Sequence, residues 1–407
     1  MSSFDQAGRK IYIRIRDCIK NYIDEIISVR RDLHTYPELA FEETRTSDII
    51  ARLLEKWGYE VTRGMGKTGV VGKLKNGIFQ QSIGIRAEID ALPVREENNL
   101  IFYKSQRDGI MHASGNDGHI AILLAAARYL AKTKNFNGTV NLIFQPAKEQ
   151  FVGAAAMIKD GLFRKFPCDE IYGLNNYSPK EEKAIYICNN NCMAASDKAK
   201  ITIYNCNYLH GMCVKPTDEP ITVASSIITN IQAFLINKST PSSIVKFMFD
   251  DFIVKNKIDK INATVEIHLT IRTYDMNTQK KFRKSLENIV NHVAVAHNSE
   301  AEIEYEYVCP PLINSQDEIN NIKKLLISIF GSEKIKDCQP LIAADDFSVM
   351  LSYIRNGAYI FLGTGECVPT GMPNFDFNDK LILTGAILWS ALVENRLPFK
   401  KSYACFT

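Results

Sequence analysis

Long apolar runs, an excess of one charge and paired cysteines are all missing from this chain. No stretch is apolar over enough residues to cross a bilayer, so no membrane partner is expected. The 49 Lys and Arg against 46 Asp and Glu leave a formal charge of +3. That is too little to build the basic footprint of a nucleic-acid binder, and no polyanion partner is expected. The ten cysteines form neither a CxxC pair nor a compact framework, which excludes a disulfide scaffold and predicts reduced thiols. Cys188 and Cys192 are separated by three asparagines, but no second pair at zinc-ligand spacing follows. Between Met1 and Arg16, the charges of Asp5, Arg9, Lys10 and Arg14 interrupt what would be the apolar core of a secretory signal, so a cytoplasmic location is expected. Internal repeats and low-complexity linkers are also lacking.

What is present is an ordinary globular composition, 46% hydrophobic and 23% charged over 407 residues, long enough for two domains. Helical periodicity from Ile11 to about Trp57, broken near Tyr36-Pro37-Glu38, predicts two helices with a turn between them. Val70 to Leu74, Ser82 to Ile89, Thr139 to Phe144 and Glu170 to Leu174 are strand-like, and Ile120 to Lys132 is strongly helical. This alternation predicts an α/β sheet. The middle of the chain changes to the order β, α, β, β, α, β: Lys198 to Tyr204, Ile221 to Ile236, Ile244 to Phe252, Thr264 to Thr273, Thr278 to Val295 and Ala301 to Tyr307. That is the order of a ferredoxin-like sandwich. After Pro310-Pro311 the α/β pattern returns, with a helix near Ile319 to Phe330, a strand Ala358 to Leu362 and a helix Lys380 to Glu394. The simplest reading is an α/β catalytic-type domain, residues 1–196 and 311–407, interrupted by an inserted α+β domain, residues 197–310.

Several ordered blocks carry a family resemblance. They are Arg30-Arg31-Asp32-Leu33-His34 through Pro37-Glu38-Leu39, Arg86-Ala87-Glu88-Ile89-Asp90-Ala91-Leu92-Pro93, and Met111-His112-Ala113-Ser114-Gly115-Asn116-Asp117-Gly118-His119. Phe144-Gln145-Pro146-Ala147-Lys148-Glu149 and Tyr172-Gly173-Leu174-Asn175-Asn176 follow. Asp345-Asp346-Phe347-Ser348, Gly363-Thr364-Gly365 and Phe375-Asp376-Phe377-Asn378-Asp379 complete the series. Together they resemble the M20 metallopeptidases and amidohydrolases, on the aminoacylase, hippurate-hydrolase and IAA-amino acid hydrolase branch. The resemblance implies a mixed-sheet α/β catalytic domain with a ferredoxin-like lid and dimerisation domain, and a homodimer.

It also implies a two-metal site whose bridging water attacks an amide carbonyl. The family draws its ligands from a Cys-Gly-His-Asp-Gly-His motif, a Glu-Glu pair, a His after Gly-Leu and a late His. On this chain Ser114 takes the place of the Cys and Asn116 that of the first His. Lys148 replaces the first acid, the family's general base, while Glu149 is kept. Asn175 stands for the third ligand and Gly371 for the last. Hydroxyl and amide groups are poor ligands for transition metals, and a lysine repels cations, so neither a catalytic metal nor another cofactor is expected.

Other positions follow the family. His210 in Tyr208-Leu209-His210 matches the histidine that reaches the partner's site and binds the oxyanion, with Lys215 and Pro220-Ile221 keeping the register. Arg272 matches an arginine near the substrate carboxylate, a task suited to its planar fork, and Asn262 precedes it at the family's spacing. Asp90 matches the acid behind the metals, with a structural hydrogen-bonding role equally open. A helix-opening cap or packing residue is the simpler reading of His119; His34 and His112 read as scaffold, and His268, His292 and His297 as packed or solvated.

Three functions remain open. One is a metal-independent enzyme forming, cleaving or cyclising a C–N bond in an acyl-amino-acid-like or amino-acid-derived small molecule, a carboxylate-bearing amide. In it Lys148, Glu149 and His210 are catalytic, and Ser114, Asn116, Asn175, Asn262, Arg272 and Asp90 bind substrate. Lys148 then serves either as a fixed cation or, if deprotonated, as base or nucleophile. The second is a binding protein without turnover. The third is a conventional metal-dependent N-acyl-amino acid amidohydrolase.

Overall fold

A computed structural model describes residues 6–178, 180–204, 208–209, 212–213, 219–238, 245–255 and 264–399. The chain divides into two compact units, one of Met1–Asn190, Ile313–Gln339 and Val349–Thr407, the other of Asn191–Leu312 and Pro340–Ser348.

The larger unit is built on an eight-stranded mixed sheet. Its strands run, from edge to edge, Glu60–Met65, Gly69–Asn76, Gly138–Gln145, Ser82–Glu88, Glu170–Tyr177, Gly357–Gly363, Ile185–Cys188 and Ile335–Cys338. The four strands from Gly138–Gln145 to Gly357–Gly363 are mutually parallel. Ser82–Glu88 and Gly357–Gly363 are buried at every residue, as parallel strands covered on both faces require. Among the covering helices, Asn116–Thr133 and Lys380–Arg396 are buried along most of their length. They share one core with Ile15, Leu33, Leu54, Phe144 and Ile322.

The first sixty residues depart from expectation, forming three helices, Gln6–Lys20, Ile23–Thr35 and Thr44–Lys56. The extra break falls at Tyr22, whose φ of −142° leaves helical geometry while its hydroxyl donates to Ala125 O at 3.0 Å. Apolar periodicity runs through this break because Ile19 and Ile26 both stay in the core. The short strands Glu60–Met65, Ile185–Cys188 and Ile335–Cys338 were not anticipated either. The first is largely exposed and the last only partly buried, so neither carries a clean apolar pattern. The expectation of reduced thiols is corrected at one pair: Cys188 and Cys338 occupy matched positions on neighbouring parallel strands and form a disulfide.

The smaller unit has a four-stranded antiparallel sheet in the order Val245–Lys255, Thr264–Thr273, Ala195–Tyr204, Glu300–Cys309. Helices Pro220–Lys238 and Met276–Ala296 pack on it, burying Ile201, Ile227, Ile267, Phe282 and Leu286 in a separate core. Asp275 caps the second helix by accepting the Thr278 N–H at 2.8 Å. With first and last strands flanking one another at positions three and four, this is the predicted ferredoxin-like sandwich.

Candidate active site

The site begins with charges where apolar residues would be easier. In Arg86-Ala87-Glu88-Ile89-Asp90, at the C-terminal end of Ser82–Glu88, every second residue is charged and all are buried. Burying charge requires pairing. Arg86 Nη1 meets Glu88 Oε2 at 2.9 Å and its Nε donates to Gln145 Oε1 at 2.9 Å. His119 Nδ1 lies 3.1 Å from the other Glu88 oxygen. Burial pushes the Glu88 carboxyl up, but Arg86, His119 and Lys148 outweigh it and hold it well below the usual carboxylate range.

Asp90, two residues on, belongs to a second cluster. Its Oδ2 accepts the Glu149 backbone N–H at 2.8 Å, and its backbone carbonyl accepts from Asn116 Nδ2 at 2.8 Å. The same Asn116 amide reaches Glu149 Oε1 at 3.1 Å. Lys148 Nζ also donates to Glu149 Oε1, at 3.1 Å, with both side chains at least 85% buried. One carboxylate oxygen thus takes an ammonium and an amide. Burial, with Glu149 beside it, raises the Asp90 carboxyl well above its ordinary value.

A strained turn presents this pair. Ala147 has φ 48° and Phe151 φ 58°, left-handed values uncommon outside glycine. The turn is closed by the Phe151 N–H on Lys148 O at 2.8 Å and anchored where the Ala147 N–H donates to Glu43 Oε1 at 2.8 Å. Opposite, Gly115 ends the loop before Asn116–Thr133 with φ 86°, and a Cβ there would lie 2.3 Å from Asn176 Nδ2. That Nδ2 donates to Ser114 O at 3.0 Å, and Gly371 N donates to Ala113 O at 2.9 Å. The turn, the helix start and the segment at Gly371 therefore meet around the Ser114 loop.

Behind this loop lies a buried ionic frame. Arg30 Nε pairs with Asp117 at 2.8 Å, and its Nη2 reaches Asp376 at 2.6 Å. His34 bridges Asp117 at 2.8 Å and Glu96 at 3.3 Å. Burial opposes the imidazolium, but these two carboxylates overcome it and push His34 up to about 9. His112 is buried without such partners, and burial with His34 and Arg30 nearby lowers it to about 4.

Of the residues singled out in the sequence, Asp90, Asn116, Lys148 and Glu149 come together, and Ser114 joins them through its loop. Asn175 turns elsewhere: its Oδ1 accepts the Asn176 N–H at 2.7 Å and its Nδ2 donates to the Tyr359 hydroxyl at 3.1 Å. Arg272, in the smaller unit, is half-buried, and burial lowers its guanidinium. His210 and Asn262 lie outside the described residues. Glu88, Glu43, Asn176 and Tyr359 were not anticipated. The alternation of charges in 86–90 was the signal for Glu88, whereas the other three are joined to the site by contacts the sequence does not carry.

As for metals, among the described residues no three His, Cys, Asp or Glu side chains are grouped to hold an ion. Glu149, the one acid that the family resemblance implies at a ligand position, accepts from Lys148 and Asn116.

Three comparisons with known proteins bear on this site. The model of peptidase family M20/M25/M40 matches residues 84–395. The hippurate hydrolase of Campylobacter jejuni is 35% identical over 372 residues, covering 90% of this chain and 95% of that protein. The N-acyl-L-amino acid amidohydrolase of Geobacillus stearothermophilus is 31% identical over 302 residues, covering 73% and 80%. Among solved structures, the dinuclear metal-binding M20 peptidase of Bacillus subtilis superposes with a TM-score of 0.79 at 25% identity, over 93% of this chain and 99% of that one.

Proposed function

Because the chain belongs to peptidase family M20/M25/M40, we propose that it handles the family's kind of substrate, an amino-acid-derived amide bearing a carboxylate, with a lysine ammonium where relatives have an acid. In this reading it is a metal-independent enzyme that forms, cleaves or cyclises a C–N bond. The observation that carries it is the Lys148 Nζ to Glu149 Oε1 pair at 3.1 Å, with Asn116 on the same oxygen. The remaining ligand-equivalent positions supply a hydroxyl, two amides and a glycine. Such a set does not fit a transition-metal pair, which takes thiolate, imidazole and carboxylate.

Of the two roles open to Lys148, the ion pair favours the fixed cation: a carboxylate at 3.1 Å stabilises the protonated amine. An ammonium held in a dry site stabilises an oxyanion as it develops on an amide carbonyl. Glu149 orients the ammonium, and Asn116 holds Glu149. Within the same reading His210 supplies a second oxyanion donor from a partner protomer, Arg272 with Asn262 takes the substrate carboxylate, and Ser114 lines the pocket. Residues 197–310 serve as lid and dimerisation domain of a cytoplasmic homodimer.

A binding protein without turnover is the second reading, favoured by Asn175, whose oxygen and nitrogen are both engaged internally. A panel of N-acyl and free amino acids, assayed with chelator present, separates the two. Turnover that persists in chelator, falls at least 100-fold in Lys148→Ala and is partly restored in Lys148→Arg supports the enzyme. No change on Lys148→Ala would remove Lys148 from the mechanism. Turnover abolished by chelator and restored by zinc, manganese or nickel would return the chain to conventional hydrolysis.

A further inference from the structure

We propose that the larger unit carries a second small-molecule site, away from the Lys148 cluster, for an anion attached to a flat apolar group. A cavity of about 450 Å³ opens where the first helix, the turn before Ile185, the end of helix Gln316–Phe330 and the last helix converge. Its volume falls within the range of small-molecule pockets, and it is open to solvent on one side. Tyr12 and Phe330 form one wall, their rings edge to face with centroids 5.8 Å apart. Ile13 and Ile329 extend the apolar surface.

The rim is cationic. Arg9, Arg16, Lys183 and Lys334 line the cavity against a single carboxylate, Glu333. Acids just outside engage part of this charge. Arg16 pairs with Asp17 at 2.8 Å while lying over the Tyr12 ring, and Lys334 pairs with Glu181 at 3.0 Å. Glu182 adjoins Lys183 and feels its charge from farther off, while its carboxylate accepts from Asn378 at 2.9 Å. Among the described residues, Arg9 and Lys183 have no ion pair. Lys183 is also held at φ 61°, a left-handed conformation that a lysine adopts only where its surroundings impose it.

An apolar wall beneath a rim with more cations than carboxylates selects one ligand chemistry. The aromatic rings accept a flat ring or short acyl body by stacking and area burial, and the cations take a carboxylate or phosphate at its end. A neutral analogue of the same shape gains the first contribution and loses the second.

The test uses the full chain and a matched pair of probes, 4-phenylbutyrate and 4-phenylbutyramide, titrated by calorimetry at low salt. The expected result is saturable binding of the carboxylate, with the amide at least 10-fold weaker. Arg9→Gln/Lys183→Gln should weaken the carboxylate at least 10-fold, while Asn116→Leu leaves it unchanged. Both altered positions at the cavity are on the surface, so folding is preserved and checked by circular dichroism. Equal affinity for the two probes, or indifference to the double variant, would overturn the proposal. So would loss of binding in Asn116→Leu, which would place the probe in the other site. Tyr12→Ala guards against a purely electrostatic surface effect: it should also weaken binding, and unaltered affinity would refute the stacking wall.

Discussion

At position 148 the chain places a buried ammonium among carboxylates, and the consequences are local. Lys148 lies among Glu88, Asp90 and Glu149, and its charge acts on the first two as well as binding the third. Removing it in Lys148→Met leaves Glu149 buried without its cation, for which a loss of about 3 kcal/mol is expected. Lys148→Arg, which keeps the charge, should lose less than half as much, and urea denaturation of the two variants measures the difference. The residue scale is also where the sequence was most legible. Once aligned by motif, Ser114, Asn116, Lys148, Glu149 and Asp90 could all be named, because each follows a short, ordered block. Asn175 shows the limit: its position was legible, but its orientation toward Tyr359 depends on a strand brought alongside from 184 residues away in sequence.

Among elements, the helix Asn116–Thr133 does most to place the site, since its first residues contribute Asn116, Asp117 and His119. Gly118 allows it to seat against Phe377, where an added Cβ would come within 2.4 Å of the ring. Gly118→Ala should therefore cost about 1–3 kcal/mol through overpacking, visible as a lower melting temperature. The same helix receives the His34 frame through Asp117. His34 is raised from 6.5 to about 9 in the folded chain, so its protonated form is favoured by folding. That stability is complete below pH 6.5 and is lost as pH rises through about 9. The loss should be on the order of 3 kcal/mol, measured as unfolding free energy against pH, and His34→Gln should flatten the profile. Helices and strands with a clean period were recovered from the sequence nearly to their ends, as with Thr264–Thr273. Those with polar or half-exposed faces, such as Glu60–Met65 and Ile335–Cys338, were not, because packing rather than pattern makes them strands.

For the whole molecule, the two units have separate cores, and the smaller one interrupts the larger in sequence. An insert at 197–310 was suggested by the change in element order, without Pro340–Ser348. The covalent tie was not: Cys188 and Cys338 are 150 residues apart, and only the sheet puts them side by side. The loop they close contains most of the smaller unit, so Cys338→Ser should lower the unfolding free energy by up to about 5 kcal/mol under oxidising conditions. Equal stability of the variant and the native chain would show that the bond contributes nothing in solution. On the proposed function, the Lys148 ammonium takes the ground that a metal pair would otherwise hold beside Glu149. Elemental analysis of the purified chain, after incubation with zinc, manganese or nickel and removal of free ion, tests it most directly. Far less than one bound ion per chain is expected; two per chain, lost when Glu149 is changed to Gln, would overturn the metal-free reading.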